Sequence, residues 1–311
     1  MISALAVLAA ALLFGTTGTS QALGPEGTTP LSVGAMRLVL GGTGLAVIAF
    51  VLARRAGRRG ALAPRPRLTA APLALLALTG VCLALYQPLF FLGTARNGVA
   101  VGTVIALGSA PILAGALEWS LTRRHPSGAW LLATALATAG VALIGVGGGT
   151  DAAGAGGTDP LGFLGSVGAG ATFAIIANAQ RRLLDDGWDP FTVVGAMGAG
   201  SAVLSAGVLP FVDLSWLAKP AGVVMAVWLG LATISVAYVL FTWGLNGLTA
   251  ATAATLTLGE PLTASILGVA VLGEQLSVLA VAGLAVLAVG LATLAWGSRA
   301  PRDPKPFAVE A

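Results

Sequence analysis

Charge is scarce in this sequence: 9% of its 311 residues are Asp, Glu, Lys or Arg, against about 25% in an ordinary soluble protein. That shortage excludes a water-exposed surface of normal size, and with it a soluble globular domain. Cysteine occurs once, as Cys82, so no internal disulfide can form. Histidine also occurs once: His125 sits beside Arg123 and Arg124, which leaves a histidine-based metal centre or a histidine-driven triad without materials. No G-x-x-x-x-G-K-[ST] loop is present, which argues against ATP drive from within the chain. Neither G-x-S-x-G nor H-E-x-x-H occurs. No cofactor, no metal and no enzyme activity are therefore expected.

What the sequence does have is apolar length. Hydrophobic residues make up 57% of the chain, the mean hydropathy is +0.93, and the load is spread from end to end. The 44 glycines suit membrane helices that pack closely through small residues. The class is thus an all-α integral membrane protein whose first partner is the lipid bilayer. The net charge of +4 comes from short basic clusters between apolar runs, which read as topology signals and not as a nucleic-acid surface. Residues 1–22 lack the basic start of a secretory signal and are expected to remain as a first membrane helix.

A crossing takes about 20 apolar residues. Cuts at charge clusters and Gly/Pro/Asn turns give ten spans, near 2–21, 31–53, 70–91, 98–117, 128–147, 160–180, 191–211, 221–243, 249–271 and 276–297. The uncharged stretch 220–259 is too long for one crossing and divides at GLNGLT, where Asn246 and Gly247 break the helix. With ten spans and an inside N-terminus, thirteen of the sixteen basic residues fall in inside loops or the tail, and only Arg37, Arg96 and Lys219 do not.

The chain also repeats itself. FGTTGTSQALGPEGTTPLSVGAM from Phe14 parallels FAIIANAQRRLLDDGWDPFTVVGAM from Phe173: each Phe precedes a Gln by seven residues, and each segment ends Val-Gly-Ala-Met. ARNGVAVGTVIALGSAP parallels GLNGLTAATAATLTLGEP in the same order. Residues 1–147 and 160–297 therefore form two five-helix repeats, joined by a glycine-rich exterior linker at 148–159 and followed by a tail at 298–311. An odd number of spans per half inverts the second half relative to the first, a plan that lets two halves rock about a site near the bilayer midplane.

The Pro-led Gly-Ala-Met-Arg of the second span and the stretch GEPLTASILGVAVLGEQLS, set in a ten-span inverted repeat, resemble the EamA-type drug/metabolite transporters over almost the whole chain. That resemblance implies alternating-access movement, chiefly export, of small polar metabolites such as amino acids, driven by an ion gradient or by exchange. It also implies a prokaryotic cytoplasmic membrane with both termini inside. A membrane enzyme or lipid-handling protein would need clustered catalytic groups, and a channel a continuous polar file; the sequence offers neither. Oligomeric state is not legible.

Several residues are out of place in lipid. Glu260 falls near mid-membrane, where an ionisable group is by default a functional one; it either exchanges protons or holds backbone and a neighbouring helix. Pro261 and its first-half counterpart Pro111 are expected to kink their helices. Arg37 either grips a substrate carboxylate, snorkels to headgroups, or pairs with an acid. Thr16, Thr17, Tyr86, Gln87, Asn178, Tyr238 and Trp243 complete the candidate cavity, with Tyr86 and Tyr238 foremost because they sit on corresponding helices. Arg96 and Asn97 are read as a solvated turn. Glu118, read as the first-half counterpart of Glu274, is expected to cap or pair locally, as is Glu274.

Overall fold

The structure is a computed structural model that describes residues 2–58, 69–148 and 159–297, with side chains omitted at 56–58. Residues 59–68, the glycine-rich linker between its end residues 148 and 159, and the C-terminal tail lie outside the described residues. Ten helices are long and apolar enough to cross a membrane. They are α1 (Ile2–Ala22), α2 (Pro30–Arg58), α3 (Ala70–Asn97), α4 (Val99–Thr122), α5 (Gly128–Gly148), α6 (Pro160–Asp185), α7 (Pro190–Ala206), α8 (Pro220–Gly247), α9 (Ala250–Leu272) and α10 (Val278–Gly297).

Each helix coincides with an expected span, and the differences lie mostly at C-terminal ends. Apolar runs set the crossing, but a helix continues until something stops it. For α3 the stop is Gly98, at φ 80°, and for α6 it is the turn at Gly187, at φ 86°. The α4 helix ends on Arg123 in the left-handed region at φ 56°, and the second half ends α9 the same way on Gly273 at φ 71°. Those two stops fix the register of the halves. Arg124, not Glu118, is the counterpart of Glu274, so the equivalence read from the sequence is displaced by six positions.

Packing follows an approximate two-fold axis. The α3–α6 contact is mirrored by α8–α1, α4–α6 by α9–α1, and α3–α7 by α8–α2, while α2–α7 and α5–α10 lie across the axis itself. The α5–α10 seam shows why small residues are needed there. A Cβ on Gly140 would lie 2.7 Å from the Gly283 carbonyl and 2.6 Å from the Leu287 nitrogen; on Gly290 it would lie 2.9 Å from the Ala133 carbonyl and 2.8 Å from the Ala137 nitrogen. One register shift carries Ala133, Ala137 and Gly140 onto Gly283, Leu287 and Gly290, so the seam is its own mirror image.

Two helices depart from regular α geometry beside the centre. In α8, residues Trp228–Val236 wind as a π-helix, a form concentrated at functional sites. The α9 helix is interrupted between Ala250–Leu256 and Gly259–Leu272. Pro261 therefore stands in the first turn of the second segment, where a missing N–H costs nothing. The carbonyl it would otherwise leave free, that of Thr257, accepts from the Glu260 N–H at 2.9 Å, and the Ala254 carbonyl accepts from the Thr257 hydroxyl at 2.7 Å. The kink foreseen at Pro261 is thus a break with its polar groups satisfied, whereas Pro111 lies within an unbroken α4.

Candidate functional site

At the centre of the bundle α1, α2, α3, α4, α6, α8 and α9 enclose a cavity of about 480 Å³. Its walls carry Phe14, Phe90, Phe91 and Phe173, with Arg37, Tyr86, Gln87, Tyr238 and Glu260 among them. Gln21, Pro30 and Val99 form the rim. All three lie where α1, α2 and α4 meet their loops, so the cavity opens toward the α1–α2 and α3–α4 connections. The other direction is shut. Phe14 meets Tyr238 edge-on at 5.4 Å, Tyr238 meets Phe241 at 6.2 Å, and Phe241 meets Phe173 at 5.4 Å. Beyond these rings Leu245 and the whole first segment of α9 are buried.

Arg37 is the cation of this cavity. Its residue is 9% exposed, its Nε is buried without a partner, and its guanidinium makes no hydrogen bond or ion pair among the described residues. Glu260 is the carboxyl of this cavity. It stands in the first turn of the second segment of α9, whose N-terminal N–H dipoles favour a negative charge. Ion pairs join Arg96 to Asp159, Arg181 to Asp185 and Arg182 to Asp186, and none of these takes in Arg37 or Glu260. Arg37 and Glu260 thus face one space without closing on each other. Arg37 lines this interior cavity, and none of the ion pairs among the described residues takes it in.

Of the residues singled out from the sequence, Thr17, Arg37, Tyr86, Gln87, Tyr238 and Glu260 meet at this cavity. Three do not line it. Thr16 donates to the Leu13 carbonyl at 2.7 Å and accepts from the Trp228 indole at 2.9 Å. Asn178 is buried and ties α6 to α4, donating to the Ala114 carbonyl at 3.1 Å and to the Ala174 carbonyl at 3.0 Å. Trp243 is 40% exposed on the outer face. Asn178 and Trp243 each follow an inward-facing aromatic, Phe173 and Tyr238, by five residues, which turns them about 140° away. The aromatic wall was not foreseen, although the repeat had already paired Phe14 with Phe173. Nor was Gly15, where a Cβ would lie 2.7 Å from the Glu260 carbonyl; its bareness lets α1 reach the break in α9.

The two ends of the bundle are held differently. Around the shut end, a separate recess of about 320 Å³ is lined by Glu118, Arg124, His125, Arg181 and the α8–α9 turn. There Arg181 donates to the Leu245 and Leu248 carbonyls, and the Glu118 carboxylate accepts from the Ala251 N–H at 2.8 Å. At the open end, the Asn97 side chain accepts from the Asp159 N–H at 2.7 Å, so the α3–α4 turn is docked on the start of α6 and is no free solvated turn. The Gly162 N–H, and then the Arg96 guanidinium, hold the Asp159 carboxyl below the usual aspartate range. No group of three or more His, Cys, Asp or Glu that could hold a metal is found among the described residues.

A model of the EamA-like transporter family matches residues 1–146 and 160–296. The chain is similar to the uncharacterized transporter YwfM of Bacillus subtilis (strain 168), at 40% identity over 307 residues covering 98% of this chain and 96% of that protein. It also shares its fold with a solved crystal structure at a TM-score of 0.76 and 18% identity, over 96% of this chain and 97% of the other.

Proposed function

Because the chain belongs to the EamA-like transporter family, we propose that it is a secondary transporter that exports small zwitterionic metabolites, amino acids foremost, by alternating access. One observation carries the reading: Arg37 and Glu260 line the same cavity and do not pair. Two opposite charges left apart in a mostly apolar pocket suit a solute that bridges them, with its carboxylate on the guanidinium and its ammonium on the carboxylate. The phenylalanine wall then takes the remainder of the solute. In this reading Glu260 holds either the ammonium or a proton, and that competition couples export to proton entry. The clustered arginines support a reading in which the shut end and both termini lie on the cytoplasmic side of a cytoplasmic membrane, and the cavity is then open to the exterior.

A thermal-shift screen of the purified protein against amino acids, followed by flux in vesicles with the best hit, tests this. Free amino acids should raise the unfolding temperature, and their N-acetyl and methyl-ester forms should not. Arg37→Gln should weaken apparent affinity about thirtyfold, equivalent to the ~2 kcal/mol of charge-assisted hydrogen bonds. Glu260→Gln should abolish flux driven by a pH gradient. Equal response to the free and blocked forms would remove the zwitterion, and intact pH-driven flux in Glu260→Gln would remove the coupling.

A further inference from the structure

A second feature lies outside the transport cavity, on the membrane-facing side of α4 and α5. A groove of about 510 Å³ runs between them, lined by Ile112, Ala116, Trp119, Trp130, Ala135 and Ala139. Gly115, Trp119, Pro126 and Trp130 border both this groove and the polar recess that holds Arg124 and His125. One continuous surface therefore passes from a slot with an almost wholly apolar lining to a cationic turn. Arg123 and Arg124 are exposed, and neither side chain has an ion-pair partner among the described residues. Glu118, which lines the recess with Arg124, accepts from the Ala251 N–H, and Asp185 pairs with Arg181. The His125 ring lies 5.7 Å from that of Trp119, tilted by 33°, and Arg124 is the exposed arginine of this turn that lines the recess beside it.

We propose that this groove binds an anionic phospholipid, with an acyl chain between α4 and α5 and the phosphate at Arg124. Lipid tails are as apolar as leucine, so an apolar slot selects no lipid over another; the cation at its end does. The second half supplies an internal comparison. Its α9–α10 turn has Glu274 where the first has Arg124, and Ala280 where the first has Trp130. Pseudo-symmetry thus repeats the helix pair without the charge or the tryptophan bordering the slot. The site is independent of the solute carried and of the direction of transport.

Native mass spectrometry of the full chain, titrated with phosphatidylglycerol or phosphatidylcholine of the same acyl chains, reads the prediction directly. Phosphatidylglycerol should form the first adduct about fivefold more readily, the preference one surface arginine supplies. Arg124→Gln should reduce that preference about fivefold. Ala139→Phe, which fills the slot from an exposed position, should weaken the same adduct. Val289→Phe, at the equivalent exposed position of α10, and Arg55→Gln, outside the groove, should change nothing. Equal retention of the two lipids by the unaltered chain, or an adduct indifferent to either Arg124→Gln or Ala139→Phe, overturns the proposal. So does a dimer that Ala139→Phe dissociates, which would make the groove a contact between copies.

Discussion

Asp159 joins two helices with one residue. Its Oδ1 accepts from the Gly162 N–H at 2.8 Å and caps α6, while its Oδ2 lies 3.3 Å from Arg96 at the end of α3. Both contacts favour the ionised form, so the folded protein holds this carboxyl below the ordinary aspartate value. The sign follows by linkage. The contribution is complete above the unfolded value of about 3.9 and is lost as pH falls from there through the lower folded value. Unfolding temperature scanned from pH 7 to pH 3 should fall at the acid end, and Asp159→Ala should fall less over the same interval. An identical acid-side slope in both proteins would show that these contacts stabilise nothing. None of this was legible in the sequence, because Arg96 and Asn97 lie more than sixty positions from Asp159. Residues closer together were no easier: Thr16 and Thr17 look alike in the chain, yet Thr17 borders the cavity and Thr16 holds the Trp228 indole. The anomalous residues were the legible ones. A lone arginine and a lone glutamate in apolar runs carry a desolvation cost that only an interior polar space relieves, and both line the same cavity.

Helices were legible where their stops are local and opaque where continuity depends on a second bond. The sequence LTLGEP marks a proline inside a span, and a proline in a helix interior reads the same as one in the first turn of a restarted helix. What separates them is whether the carbonyl four residues back finds another donor, as Thr257 does in the Glu260 N–H. The π-helical turns of α8 left no signal at all. The α5–α10 seam makes its own prediction. Alanine favours a helix over glycine by about 1 kcal/mol, but a methyl 2.6 Å from fixed backbone is overpacking, which costs about 1–3 kcal/mol. Backbone cannot turn aside as a side chain can, so the cost wins. Gly140→Ala and Gly290→Ala should each lower stability, by up to about 2 kcal/mol, in reversible unfolding from detergent, and by similar amounts because each meets the mirror image of the other's surroundings. At Gly297, where a Cβ meets nothing within 4 Å, the same change should not destabilise. Neutral behaviour at both seam positions would mean that the helices separate more easily than their contacts imply.

At the scale of the molecule, the repeat and the arginine distribution already implied two halves about a central site. They did not say which end would be shut, because closure depends on contacts between helices far apart in the chain. Arg181 illustrates the asymmetry. It fastens the end of α6 to the α8–α9 turn through the Leu245 and Leu248 carbonyls. The shift that carries Gln21 onto Gln180 carries Ala22 onto Arg181, and an alanine has no side-chain donor with which to fasten α1 to the α3–α4 turn. The open rim, where Gln21 and Val99 stand, is the counterpart of a fastening that the first half lacks. If the halves exchange conformations, loosening Arg181 must favour the state in which that rim is closed. The experiment uses Gln21→Cys with Val99→Cys in a chain whose Cys82 is replaced by Ala, so that the engineered pair alone can oxidise. Adding Arg181→Gln should increase cross-linking several-fold, since a tie worth ~1 kcal/mol changes a two-state ratio about fivefold. Solute trapped in the cavity should slow the reverse step. A cross-linking yield that Arg181→Gln leaves unchanged would mean that the two ends do not exchange closure, and the rocking mechanism would fail with it.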